Sequence, residues 1–208
     1  MVQELLPQLN KNYHKEGARV IVFFGPAGAG KSVQGQILAA RHGWRWLSSG
    51  QLLRDSRDPV IAEQMRTGAL VSSDQTNDVI ADALERAKDI DKVILDGYPR
   101  KLEQAQWLIE TRSRHARTIS LAVVLEVPRA ELEQRLKVRG RVDDTSEVIE
   151  ERLNIYRQEI YPILTYLTEQ KVKIAHIEGT GTVGQVHDRI ESELQALKLT
   201  QPSKEHIG

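Results

Sequence analysis

Val20-Ile21-Val22-Phe23-Phe24 is an unbroken apolar run, and Gly25-Pro26-Ala27-Gly28-Ala29-Gly30-Lys31-Ser32 follows it directly. A run of β-branched and aromatic residues predicts a parallel strand buried on both faces. The segment after it fits G-x-x-x-x-G-K-[ST], and a helical stretch opens at Lys31. Such glycines let successive backbone N–H groups turn inward toward an anion. The helix start adds the positive end of its dipole. In this register Lys31 would reach the β- and γ-phosphates of a nucleotide, and the Ser32 hydroxyl is placed to ligate Mg²⁺. Strand, loop, lysine and helix together predict nucleotide binding.

The rest of the chain alternates in the same manner. Further strands are expected near 45–48, 93–95, 120–127 and 172–177. Helices are expected over 31–40, from about 50, as two or three short pieces in 58–88, and over 101–114, 130–139, 146–169 and 183–197. Alternating strands and helices imply a parallel sheet covered on both faces, an α/β fold. At 208 residues the chain suits one core domain. That domain is expected over 19–197, after an N-terminal extension (1–18) and before a frayed polar tail (198–208).

Composition removes several function classes. Lys and Arg together number 29, as do Asp and Glu, so there is no general basic footprint for nucleic acid. The chain has no cysteine, hence neither disulfides nor a thiolate zinc site. His14, His42, His115, His176, His187 and His206 show no metal-ligand spacing. No run reaches membrane-spanning length and the start lacks a signal-peptide core, so the expectation is a cytoplasmic protein with no membrane partner. A monomer is expected as well.

Two more segments decide among phosphate-binding proteins: Leu47-Ser48-Ser49-Gly50-Gln51-Leu52-Leu53-Arg54-Asp55, and Leu95-Asp96-Gly97-Tyr98-Pro99-Arg100 followed by Gln104. With the glycine-rich loop, and with Arg135, Arg139-Gly140-Arg141-Val142-Asp143-Asp144, Arg152 and Gly179-Thr180-Gly181, the chain resembles the adenylate kinase and wider nucleoside monophosphate kinase family. The likeness spans about 20–197. It implies a P-loop fold with a five-stranded parallel sheet, a helical acceptor-binding insertion near 49–78 and a minimal lid near 139–145. It also implies the reaction MgATP + AMP ⇌ 2 ADP, with Mg²⁺ as cofactor and ATP, AMP and ADP as the small-molecule partners.

Carried onto this sequence, the resemblance assigns ATP to Gly25, Pro26, Ala27, Gly28, Ala29, Gly30, Lys31, Ser32, Val33, Arg135 and Gly181. It assigns AMP to Ser49, Gly50, Arg54, Val71, Gly97, Arg100, Gln104, Arg141 and Arg152. The groups acting on the transferring phosphoryl group are then Lys31, Arg100, Arg139, Arg141 and Arg152, with metal held by Ser32 and, through water, by Asp96. The chemistry agrees: a guanidinium grips phosphate in two places at once, as Arg54 and Arg100 would. Arg135 would stack on the ATP base. An amide both donates and accepts, which suits Gln104 to an adenine edge. The plainer reading of Arg135, Arg139 and Arg152 pairs them with Glu131, Glu133 and Glu151 on solvated faces.

The chain departs from the family's pattern in three ways. The hydroxyl after the loop lysine stands at Ser32, with Val33 next, rather than one position later. Gln51 stands where an aspartate is usual. Only Gly140 separates Arg139 from Arg141, so the lid is a tight turn, with Asp144 and Glu147 read as a capping box. The competing readings are a UMP/CMP kinase and a nucleotide-binding P-loop protein without phosphotransfer.

Overall fold

The computed structural model describes residues 18–67, 69–111, 117–139 and 146–200. Its strands are β1 (Ala18–Phe24), β2 (Arg45–Ser48), β3 (Lys92–Asp96), β4 (Arg117–Glu126) and β5 (Lys173–Glu178). They form one five-stranded parallel sheet in the order β2-β3-β1-β4-β5. The helices are α1 (Lys31–His42), α2 (Ser49–Arg54), α3 (Pro59–Thr67), α4 (Ser73–Arg86), α5 (Leu102–Glu110), α6 (Arg129–Arg139), α7 (Ser146–Glu169) and α8 (Val183–Ala196). The α/β class and the five-stranded parallel sheet are as the sequence leads one to expect.

Residues of β1 alternate between two cores. Val20, Val22 and Phe24 face Ile80, Leu84, Leu108, Ile163 and Leu167, from α4, α5 and α7. Ile21 and Phe23 face Leu38, Leu132, Leu136, Ile190 and Leu194, from α1, α6 and α8. Each side chain of this size, fully buried, contributes about 1.5–3 kcal/mol relative to exposure. A strand covered on both sides therefore has no polar position to spare, which is why it reads as a continuous apolar run.

Helix ends follow local chemistry. The α1 helix starts at Gly30 (φ 95°) with no side chain capping it, so its first amides face the glycine-rich loop. Capping boxes open α4 (Ser72 with Gln75) and α8 (Thr182 with Gln185). Of the helix expected over 101–114, α5 covers Leu102–Glu110 and residues 112–114 lie outside the described residues; Thr111 bends its hydroxyl back onto the Trp107 carbonyl, and its N–H closes the last turn of α5. The fourth strand starts earlier than expected, at Arg117, whose buried guanidinium turns to the Ala87 and Ile90 carbonyls. Lys198 takes a left-handed turn (φ 55°), and Leu199 is 5% exposed in the core with its N–H on the Leu194 carbonyl.

Candidate functional site

The carboxyl ends of β1 and β3 are adjacent, Phe23 pairing with Asp96, and the glycine-rich loop rises from the first of them. Lys31 curls back over that loop, its ammonium donating to the Gly25 carbonyl at 2.6 Å and to the Pro26 carbonyl at 3.0 Å. Ser32, one residue into α1, donates its hydroxyl hydrogen to Asp96 Oδ2 at 2.6 Å. Ser32 is exposed while Asp96 is 3% exposed at the strand end. A hydroxyl and a carboxylate side by side are hard oxygen donors, of the chemistry that fits Mg²⁺. Val33 turns to solvent. No group of three or more His, Asp or Glu residues able to hold a metal exists among the described residues.

A second cradle lies beside the first. Ser49, 4% exposed at the start of α2, donates to the Gly97 carbonyl at 2.6 Å. Arg100 Nε donates to the same carbonyl at 2.8 Å. The left-handed Gly97 (φ 73°) is needed here, because a Cβ would lie 3.0 Å from the Arg100 guanidinium and 3.1 Å from Ser49 Oγ. Arg54 lies over Gly50, where a Cβ would stand 3.4 Å from its guanidinium. The Arg100 side chain is exposed, yet burial of its guanidinium by the surrounding protein lowers its pKa from the ordinary arginine value. Asp96 opposes that shift and the positive charge of Arg54 adds to it. Two guanidinium groups within electrostatic reach of each other have the charge and the donor geometry that suit a dianionic phosphate. The Tyr98–Pro99 peptide is cis.

Gln104 is 6% exposed. Its Oε1 accepts the Arg100 backbone N–H at 2.8 Å, and its Nε2 lies 3.5 Å from Ser73 Oγ. A backbone N–H can only donate, so this contact fixes which end of the amide is oxygen. Val71 is partly buried in the segment between α3 and α4. Gln51 points away from the metal-type oxygens: its amide joins Arg54 and Asp55 on the exposed face of α2.

Arg135, which the resemblance assigns to ATP, bridges three segments. It donates to the Gly28 carbonyl at 3.4 Å, to the Gly179 carbonyl at 2.8 Å, and to Glu131 at 2.5 Å. The pairing with Glu131 and the placement beside the phosphate loop are therefore both present. Arg189 holds the Glu178 and Thr180 carbonyls at 2.8 Å each, and Gln34 Nε2 holds the Val183 carbonyl at 2.9 Å. These two clamp the loop containing Gly181 and had no motif to mark them; Gln34 is buried inside α1. Gly140, Arg141, Asp143 and Asp144 lie outside the described residues, as do the side chains of Arg139, Glu147 and Arg152.

The family model described as adenylate kinase matches residues 23–172. The chain belongs to the adenylate kinase family. It is 38% identical to the adenylate kinase of Mycobacterium leprae (strain Br4923) over 175 residues, 81% of this chain and 95% of that protein. Against the adenylate kinase of Mycobacterium ulcerans (strain Agy99) it is 41% identical over 184 residues, 85% of this chain and 98% of that protein. Against that of Mycobacterium tuberculosis (strain ATCC 25177 / H37Ra) the identity is 37% over 175 residues, covering 81% and 95%. Family membership makes the chain a phosphotransferase of the nucleoside monophosphate kinase type, as the sequence resemblance implied. No helix among the described residues is long and apolar enough to cross a membrane.

Proposed function

We propose that this enzyme transfers the γ-phosphoryl group of ATP to AMP, reversibly, giving two ADP. The observation that carries the proposal is the Ser32–Asp96 contact of 2.6 Å, because it joins the glycine-rich loop to the turn bearing Gly97 and Arg100. Donor and acceptor phosphates would then meet across one sheet edge. Lys31 and the amides at the start of α1 hold the donor phosphates, and Arg54 and Arg100 hold the acceptor phosphate. Transfer of this kind needs in-line positioning and positive charge more than covalent help. Arg139, Arg141 and Arg152 belong to the proposal as further cations from the lid side. Ser32, with Asp96 acting through water, would hold Mg²⁺, which supplies charge neutralisation between the phosphates when bound. A cytoplasmic setting and a monomeric state go with the reading.

Acceptor choice rests on Gln104. Its oxygen is fixed by the Arg100 N–H, so a base must present an amino donor beside a ring-nitrogen acceptor, as adenine and cytosine do. UMP presents the reverse pattern. A coupled assay comparing AMP, UMP, CMP and GMP tests this. A mismatched buried amide costs about 1–3 kcal/mol, so AMP should lead UMP by about tenfold or more in kcat/KM. Equal rates with UMP would transfer the assignment to a UMP/CMP kinase.

A further inference from the structure

Tyr98 lies between the two residues of the acceptor turn that carry its chemistry, Gly97 and Arg100, yet points the other way. It is 1% exposed, and its hydroxyl donates to Asn77 Oδ1 at 2.6 Å, with the Gln104 carbonyl at 3.3 Å. Asn77 is itself 5% exposed on α4. Trp107 of α5 meets the Tyr98 ring edge-on, with centroids 6.4 Å apart. Tyr98 thus ties three segments together, its own turn and the two its hydroxyl touches. The first is the helix that runs out of the expected acceptor-binding insertion, the second the turn holding Arg100, and the third the helix holding Gln104.

Position along α4 gives the contact its meaning. On the N-terminal side of Asn77 lie Ser72, which caps the helix, and Ser73, which meets the Gln104 amide. On the C-terminal side Ile80, Ala83 and Leu84 are packed into the main core. Asn77 sits where α4 passes from one role to the other. We infer that the Tyr98 hydroxyl is a positioning group for the acceptor: its bond to Asn77 sets α4 against the turn of Arg100 and the helix of Gln104. The inference rests on the acceptor reading above. It adds residues that touch neither nucleotide and act through Arg100 and Gln104.

Without the hydroxyl, Asn77 Oδ1 loses a buried donor and α4 samples other placements on the turn. Only the fraction of molecules with α4 in place binds the acceptor, and apparent affinity falls by that fraction. The glycine-rich loop is not joined through this bond, so donor binding is spared. The experiment is steady-state kinetics of Tyr98→Phe, Asn77→Ala and the double variant, with KM measured separately for AMP and ATP. Tyr98→Phe keeps the ring and its packing, and thermal melts establish folding. The expected result is a KM for AMP raised about fivefold or more, which is a loss of about 1 kcal/mol. KM for ATP should stay within about twofold, and the double variant should be no worse than the weaker single. A KM for AMP within about twofold of the parent, an equal rise in both KM values, or multiplying effects in the double variant would overturn the inference. If the parent fails to phosphorylate AMP, the acceptor reading itself falls and takes this inference with it. A parent active on AMP with an indifferent Tyr98→Phe removes this inference alone.

Discussion

Ser32 Oγ donates to Asp96 Oδ2 across 2.6 Å, tying the first turn of α1 to the end of β3. The hydroxyl sits one position earlier than the family's usual threonine, and Val33 beside it is exposed, with no oxygen to offer. Ser32→Ala should therefore raise the Mg²⁺ concentration needed for half-maximal activity by about tenfold, through loss of one oxygen ligand. Val33→Thr in that background should recover part of the loss. A magnesium titration unchanged in Ser32→Ala would reduce the hydroxyl to a helix-start contact.

Arg135 grips the Gly28 and Gly179 carbonyls, and is proposed to hold the ATP side of the site in ground and transition states alike. Arg135→Ala should raise KM for ATP by about tenfold while kcat changes less than about threefold. Arg141, proposed to meet charge that develops during transfer, should behave oppositely. In Arg141→Ala, kcat should fall about a hundredfold, or about 2.7 kcal/mol. Steady-state kinetics of both variants at saturating AMP would check the split. A kcat for Arg141→Ala within about threefold of the parent removes that residue from the mechanism.

Gly35 lies on the buried side of α1, where a Cβ would stand 2.7 Å from Trp46 Cδ1. The indole packs against that core and cannot swing away as a flexible chain end would. Gly35→Ala should cost about 1–3 kcal/mol through overpacking. That lowers Tm by roughly 2–4 °C per kcal/mol in a domain of this size. Gly184→Ala, in α8 with nothing nearer than 4.0 Å, should instead raise Tm slightly. Calorimetry of the pair would check both signs; equal shifts would contradict the packing argument.

His187 is 5% exposed where α8 meets α1, and burial lowers its pKa from the ordinary histidine value. Glu191 and Asp188 on its own helix favour the proton, while Arg41 and His42 from α1 oppose it. Above about pH 6.5 folded and unfolded chains both carry it neutral, and its contribution is constant. Below that, the unfolded chain takes up the proton first, so stability falls as pH drops toward the lower folded value. The effect is at most about 1.4 kcal/mol per pH unit. His187→Leu should flatten the dependence of Tm on pH between about 7.5 and 5.5. An unchanged slope would contradict a buried neutral histidine.

Legibility in the sequence tracked how local each signal was. The run from Val20 to Phe24 and the loop to Ser32 encode their own conformation, through apolar periodicity and glycine spacing, and both appear as expected. The acceptor turn was legible as a string, Asp96 to Arg100, but not as geometry. Nothing in the string says that Ser49 and Arg100 share the Gly97 carbonyl, or that Tyr98 reaches Asn77. Those contacts depend on how α2 and α4 return to β3, a long-range fact. The burial of Leu199 is not legible in the sequence, because one apolar residue among polar neighbours carries no periodicity. The Ser72–Gln75 and Thr182–Gln185 capping boxes are both written in the sequence, as a hydroxyl followed three residues later by an amide.

The central claim is phosphoryl transfer from ATP to AMP rather than nucleotide binding or hydrolysis alone. The most direct test is to incubate the full chain with Mg²⁺, γ-phosphate-labelled ATP and unlabelled AMP, and to locate the label. The account predicts that label appears in the β-phosphate of ADP, with two ADP formed for each ATP consumed. Label released as inorganic phosphate, or remaining in ATP while AMP is unchanged, would contradict it.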